Sequence, residues 1–203
     1  MYKEKIEAMP ESVEPEVVDG RRARSERSKQ AIIDASLALM EEGNLIPTAQ
    51  QISDKAGVGI RSFFRHFEDM ETLFATIDEQ NRNATEALYL GGDRDGTLDE
   101  RILHAIERYG EGYEKQRNMV LSTSAQLWRS ETLRKNYARY QRGLRKDLDD
   151  WLPELKQLTR SEREAVDAIA SFEMWHRLRY HQRLSKQAAI DTVVGMLHAL
   201  IEG

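Results

Sequence analysis

Arg61 and Arg65 stand four residues apart in the stretch IRSFFRHF, with Ser62 and Phe64 between them. That spacing puts two guanidinium groups one turn apart on the same face of a helix. A guanidinium presents a rigid fork of donors that matches a phosphate or the O6/N7 edge of a guanine. Ile60, Phe63, Phe64 and Phe67 follow the i, i+3, i+4, i+7 pattern, so they are expected to anchor the helix from the other side, Phe64 included. A second basic run, RRARSERSK from Arg21 to Lys29, holds five basic residues against one acid and suits a phosphate-seeking arm. Catalytic chemistry has much less to stand on. The five histidines, His66, His104, His176, His181 and His198, form no H-E-x-x-H, and the chain has no Gly-rich phosphate loop or nucleophile elbow. Glu173 and His176 make a single Glu-x-x-His, whereas a di-iron bundle needs that motif from two helices together with two further glutamates. No catalytic residue, metal ligand or cofactor is therefore assigned.

The elements that must position the arginines read as helices throughout. A first helix is expected from about Ser25 to Glu42, on Ile32, Ile33, Ala35, Ser36, Leu37, Leu39 and Met40, with Gly43 as its stop. Pro47 bars continuation, and Thr48 with Gln51 forms a T-x-x-Q capping box for a short helix from Ala49 to Ala56. The turn GVG leads into the arginine-bearing helix, Ile60 to His66. Two short helices joined by a glycine-bearing turn form a helix-turn-helix, whose second helix enters the DNA major groove. Asp69 caps a fourth helix with Leu73, Phe74, Ile77 and Leu88, broken at GGDRDG. Thr97 and Glu100 cap the next, which carries Leu98, Ile102, Ile106, Tyr109 and Tyr113. Further helices fit Met119 to Trp128, Glu131 to Trp151, Ser161 to about Leu184, and Ser185 to Ile201. No strand-like alternation or repeat occurs, so the fold class is all-α.

Composition agrees with that class. Of the 203 residues, 32% are charged and 40% hydrophobic, cysteine is absent, and no run of eighteen apolar residues occurs. A membrane span and a disulfide framework are excluded, and a cytoplasmic location is expected. The net charge of −5 is unevenly spread: residues 1–19 hold six acids against two lysines, while residues 20–75 hold eight of each sign. Residues 1–20 are expected to form a disordered acidic tail, residues 21–72 the helix-turn-helix domain, and residues 73–203 a helical effector-binding and dimerisation domain.

The segments AIIDASLALMEEG and TAQQISDKAGVGIRSFFRHFEDMETLFATI, residues 31–43 and 48–77, resemble the tetracycline-repressor-like (TetR) family of transcriptional regulators. LSKQAAIDTVVGMLHALIEG looks like that family's final helix. The resemblance implies a DNA-binding regulator, a repressor released from a palindromic operator on double-stranded DNA by a small-molecule effector, and acting as a homodimer. The DNA-facing set it implies, with the basic arm, is Arg21, Arg22, Arg24, Thr48, Gly59, Ile60, Arg61, Ser62, Phe64, Arg65 and His66. Three positions depart from the family pattern. Phe64 stands where a tyrosine usually reaches the backbone, Met70 where a lysine meets phosphate, and Gly59 where a Ser or Thr caps the recognition helix.

Beyond residue 77 the chain is less explicit. Tyr109, Tyr113, Trp128, Trp175, His176 and Arg179 are the large or polar residues from which an effector pocket is expected, Arg179 toward an acidic ligand or an internal carboxylate. Val166, Ile169, Ala170 and Phe172, with Ile190, Val193, Val194, Leu197 and Ile201, form two apolar stripes that could close a four-helix bundle between two subunits. The competing classes are a helical-bundle enzyme or carrier, and a DNA-binding dimer governed by a protein partner without a ligand pocket.

Overall fold

The computed structural model describes residues 20–89 and 91–203; the acidic tail expected at residues 1–20 lies outside them except for Gly20. Helix α1, Gly20–Glu41, turns Ile32, Ile33, Ala35, Ser36 and Met40 inward and is closed by Gly43 at φ +92°. Thr48 and Gln51 make the reciprocal capping box that opens α2, Ala49–Lys55. Gly57, at φ +66°, takes the left-handed turn that a side chain would strain, and α3 follows at Ile60–His66. Asp69 accepts from the Thr72 amide at 2.8 Å to open α4, Met70–Ala87. Ile32, Ile33, Ile52, Phe63, Phe67, Leu73 and Ile77 form one core under these four helices.

A second core lies under the remaining helices: α5, Leu98–Gln126; α6, Glu131–Trp151; α7, Arg160–Ile169; α8, Phe172–His176; and α9, Lys186–Ile201. Three boundaries differ from the sequence expectation. The helices expected before and after residue 119 are one 29-residue rod, α5, because the polar stretch EKQRN between them carries no helix breaker and retains good helix formers. The helix expected from Ser161 to Leu184 opens two residues earlier, where Thr159 pairs with Glu162 in a capping box. It also stops at Ala170, where Ser171 accepts from the Met174 amide and starts α8 afresh. A π-helical turn, Arg177–His181, and Arg183 at φ 58° then redirect the chain into α9.

Two glycines of RYGEGYEK explain how α5 sits so close to its neighbours. A Cβ on Gly110 would lie 2.5 Å from the Trp175 ring, and one on Gly112 would lie 2.5 Å from the Tyr89 ring. Both rings are rigid and buried, so neither can yield cheaply. Alanine normally strengthens a helix by about 1 kcal/mol over glycine. Here Gly110→Ala and Gly112→Ala are each expected to lower unfolding free energy by about 1–3 kcal/mol instead, as overpacking does. Urea denaturation of the two variants beside Gly143→Ala, whose Cβ would meet nothing, checks the sign.

Candidate DNA interface and effector cleft

Helix α3 is fixed to the first core by one face and bare on the other. Phe63 and the following Phe67 are fully buried, with ring centroids 5.8 Å apart, and Ile60 packs against the same core. Ile60 is thus turned away from the surface expected to meet DNA. Phe64 corrects the sequence expectation in the opposite sense: it is 54% exposed, because its direction falls between the core face and the arginine face of this short helix. Arg61 and Arg65 are exposed beside it, and Arg65 Nη2 donates to Ser62 Oγ at 2.6 Å. Two cations and an aromatic ring are therefore exposed along one side of α3.

The other DNA-facing candidates are more constrained. Gly59 is the N-cap of α3, exposed and without a side-chain cap. The Thr48 hydroxyl is already engaged, accepting from the Gln51 amide at 3.2 Å and donating to Gln51 Oε1 at 3.2 Å. His66 turns its Nε2 into the protein, where no hydrogen bond reaches it, so that edge is not offered to DNA. Met70 is half-buried against the first core. Arg21, Arg22 and Arg24 are exposed, yet they form the first turns of α1 rather than a free arm, because that helix begins at Gly20. No acid lies in that first turn, so arginines crowd the positive end of the helix dipole, where an anion would be welcome.

The six residues expected to form an effector pocket do not converge. Trp128 is 81% exposed at the end of α5, where the chain turns away from the core. Tyr109 and Tyr113 are buried and border a cavity with Gln141 and Arg142, but their hydroxyls are committed, to Asp147 at 3.0 Å and to the Ala170 carbonyl at 2.8 Å. Trp175 and Arg179 both donate to Glu114, at 3.2 and 2.7 Å, which answers the Arg179 question with an internal carboxylate. Desolvation would raise the Glu114 pKa, but donors from Tyr180, Arg179 and Trp175 outweigh it and hold the group below the usual carboxylate range. His176 is stacked between Phe172 and Tyr180. Glu173 accepts from the Tyr137 hydroxyl, so the Glu-x-x-His pair is divided between two other tasks.

The cleft lies elsewhere, among α1, α4, α5 and α6. It is open on one side, offers about 140 Å³, and is lined by Met40, Phe74, Ile77, Met119, Val120 and Leu133 together with Asp78, Arg82, Arg139, Tyr137 and Tyr140. A second cavity of about 580 Å³ lies among α1, α4 and α5 and shares Met40, Asn81, Thr85, Gln116 and Met119 with the first. Helix α4 leans on α6 and stands off α5 over these spaces. From sequence, the wall residues look like ordinary core positions. Only the joining of two domains by α4 and α5 turns them into a cleft.

The expected dimer stripes also need revision. Val166, Ala170, Phe172, Ile190, Val193 and Leu197 are buried in the second core of a single chain, because α7, α8 and α9 close on α5 and on each other. Ile169, Val194 and Ile201 remain half-buried, and Gly195 and Ala199 are exposed beside them.

Residues 32–77 match the family described as bacterial regulatory proteins, tetR family. No curated protein matches the chain by sequence. Among solved structures, a transcriptional regulator from Rhodococcus sp. Rha1 superposes with a TM-score of 0.61 at 16% identity, covering 86% of this chain and 96% of its own. A transcriptional regulator from Streptomyces coelicolor A3(2) gives 0.58 at 17% identity over 87% and 99%. A TetR-family regulator from Syntrophomonas wolfei str. Goettingen gives 0.53 at 15% identity over 90% and 97%. The matched residues carry that family's helix-turn-helix domain, and the chain as a whole has the fold of these regulators. That N-terminal domain is of the TetR family.

Two measurements follow from this geometry. Phe63→Ala is expected to cost about 3–5 kcal/mol of stability, whereas Phe64→Ala, at a half-exposed position, is expected to cost under about 1 kcal/mol. Chemical denaturation of the pair decides it. Burial, and then the neighbouring Arg65, lower the His66 pKa from 6.5, while burial, Arg117 and His181 lower that of His176. For both, the unfolded chain binds the proton more readily, so stability is present above the unfolded value and is lost as pH falls through it. The melting temperature is expected to drop between about pH 7.5 and pH 5.5, before the low-lying carboxylates titrate, and to drop less in His66→Gln.

Proposed function

We propose that the protein is a cytoplasmic homodimeric repressor that binds a palindromic operator through α3 and the start of α1, and that a small molecule releases it. The observation that carries this reading is the exposed surface of Arg61, Phe64 and Arg65 on a helix whose opposite face is locked into the core. The arginines can read guanine edges or hold phosphates, and the Phe64 ring can meet a thymine methyl. Arg21, Arg22 and Arg24 add phosphate contacts from the N-terminus of α1.

Two copies are needed to span half-sites about 34–36 Å apart. The partner is proposed to dock on the outer faces of α7 and α9, where Ile169, Val194 and Ile201 are incompletely covered and Gly195 permits close approach of a helix. Helix α4 offers the proposed route for release. Helix α4 carries Leu73 and Ile77 into the recognition core while its midsection borders the cleft. A ligand that binds better when α4 is displaced would shift the population toward a half-site spacing that no longer fits the operator.

Fluorescence anisotropy with the DNA upstream of the protein's own gene tests the reading. Saturable binding that outlasts competition by unrelated DNA is expected, and equal affinity for both would overturn it. Arg61→Ala and Arg65→Ala should each weaken specific binding by about 1–3 kcal/mol with the melting temperature unchanged. Phe64→Tyr should strengthen binding by returning a hydroxyl to an exposed position near the backbone. Replacing Arg21, Arg22 and Arg24 together by alanine should flatten the dependence of log K on log salt by about 0.9 per lost phosphate contact.

A further inference from the structure

The cleft among α1, α4, α5 and α6 has a size, a charge balance and a polar handle that together restrict what can fill it. Apolar cavities of about 150 Å³ take a single benzene ring, and the apolar part of this open cleft, beside the larger cavity that shares Met40 and Met119, offers about 140 Å³. Its walls come from Met40 of α1, Phe74 and Ile77 of α4, Met119 and Val120 of α5 and Leu133 of α6. Methionine sulfur and aromatic edges favour a flat, polarizable guest over a bulky aliphatic one.

Its charged edges are already neutralised. Asp78 lies 2.9 Å from Arg82 and 2.6 Å from Arg139, and Glu86 is the remaining charged residue of the lining. Two acids thus face two bases, and both guanidiniums already share a carboxylate. An anionic guest would find no free cation and would have to enter an apolar chamber unpaired.

One polar group in the lining is unfinished. The Tyr140 ring borders the cleft, and its buried hydroxyl lies beside that of Tyr89 without a well-formed hydrogen bond to it, so both hydroxyls keep unused bonding capacity. Burial raises its pKa, with the neighbouring Tyr89 adding to the effect, so it stays a neutral donor and acceptor. A buried hydroxyl left unpaired is costly, and a guest that supplies its partner recovers that cost.

We propose that the cleft binds a neutral, single-ring aromatic compound bearing one hydroxyl-type group, with the ring between Met40, Phe74 and Met119 and the hydroxyl paired with Tyr140. This assignment rests on the ligand-released reading given above, because it names the class of compound that would act there. The guest touches elements of both domains at once: Met40 belongs to the helix that begins with the arginines, and Leu133 to the second domain.

Three compounds of nearly equal size separate the contributions: p-cresol, toluene and benzoate, each titrated against the full chain at about pH 7. Methionine-methyl NMR reads where they bind and calorimetry reads how tightly. With p-cresol, saturable shifts are expected at the Met40 and Met119 methyls and not at Met174. Benzoate is expected to bind at least about tenfold more weakly, since its charge has no partner. Tyr140→Phe should reduce the preference for p-cresol over toluene by about fivefold and leave toluene binding unchanged. Val120→Phe, which fills the chamber, should abolish the Met40 and Met119 shifts while its melting temperature shows that the fold survives.

Absence of saturable shifts, shifts centred on Met174, or benzoate binding as tightly as p-cresol would overturn the proposal. An unchanged p-cresol preference in Tyr140→Phe would overturn the role of the hydroxyl. Anisotropy on the upstream DNA keeps this claim apart from the regulatory one. If p-cresol fills the cleft and DNA stays bound, the ligand class stands and release falls. If other metabolites release DNA while p-cresol leaves Met40 and Met119 unmoved, release stands and the ligand class falls.

Discussion

The structure depends on one long helix serving two cores. At 29 residues, α5 packs against α9 and buries Ile102, Ala105, Ile106 and Tyr109 in the second core, while Met119 near its C-terminus reaches the recognition core. The last turns of α5 also fasten the end of α1 and the loop that follows it. Ser122 Oγ donates to the Leu45 carbonyl at 2.6 Å, Gln126 Nε2 approaches the same oxygen at 3.4 Å, and Asn118 Nδ2 donates to the Glu41 carbonyl at 3.0 Å. Ser122 and Gln126 are buried, so these bonds satisfy polar groups that would otherwise be costly there. A tilt of the recognition domain cannot occur without disturbing α5 or breaking this seam. The seam, the cleft and α4 are therefore parts of one mechanical unit.

A second fastening works from the other side. Glu71, in the first turn of α4, accepts from the Thr132 amide at the start of α6 at 2.9 Å, and Asp78 farther along α4 meets Arg139 of α6. Desolvation raises the Glu71 pKa, but donors from Ser130 and Thr132 more than compensate and leave it lowered, so the group stays ionised at neutral pH. Helix α4 is thus held at its recognition end and along α6 while standing off α5. In the proposed release, a modest wedge below α4 would act on the orientation of α3 without unfolding either core.

The helix-turn-helix was legible because its signals are local. Thr48 with Gln51, the positive φ of Gly57, and the apolar period through Phe63 each act within a few residues, and each does in space what its spacing implies. Phe64, which periodicity groups with the core and the family resemblance with DNA, is exposed: a seven-residue helix has too few turns for periodicity to separate a core direction from a flank. In the second domain the signals become long-range. Arg179 meets Glu114 across 65 positions, and Tyr109 meets Asp147 across 38, so their partners cannot be inferred from neighbouring sequence. The apolar positions expected on the last two helices are largely buried, although Phe172 falls on α8 and does not continue α7. Periodicity shows that a face is buried, however, and is silent on whether the same chain or a second copy covers it.

Charge placement follows a similar division. The chain is acidic overall at −5, yet Arg61 and Arg65 of α3 and Arg22 and Arg24 of α1 are exposed, while many arginines of the second domain are tied to carboxylates. Local field, rather than net charge, decides whether a polyanion is drawn to a surface. Hydrogen exchange of the full chain, free and bound to its upstream DNA, tests this placement most directly. Binding is predicted to slow exchange at the amides of residues 20–25 and 59–66, with little change across the core-facing turns of α5. Protection centred on α7 and α9, with α3 unaffected, would contradict the account.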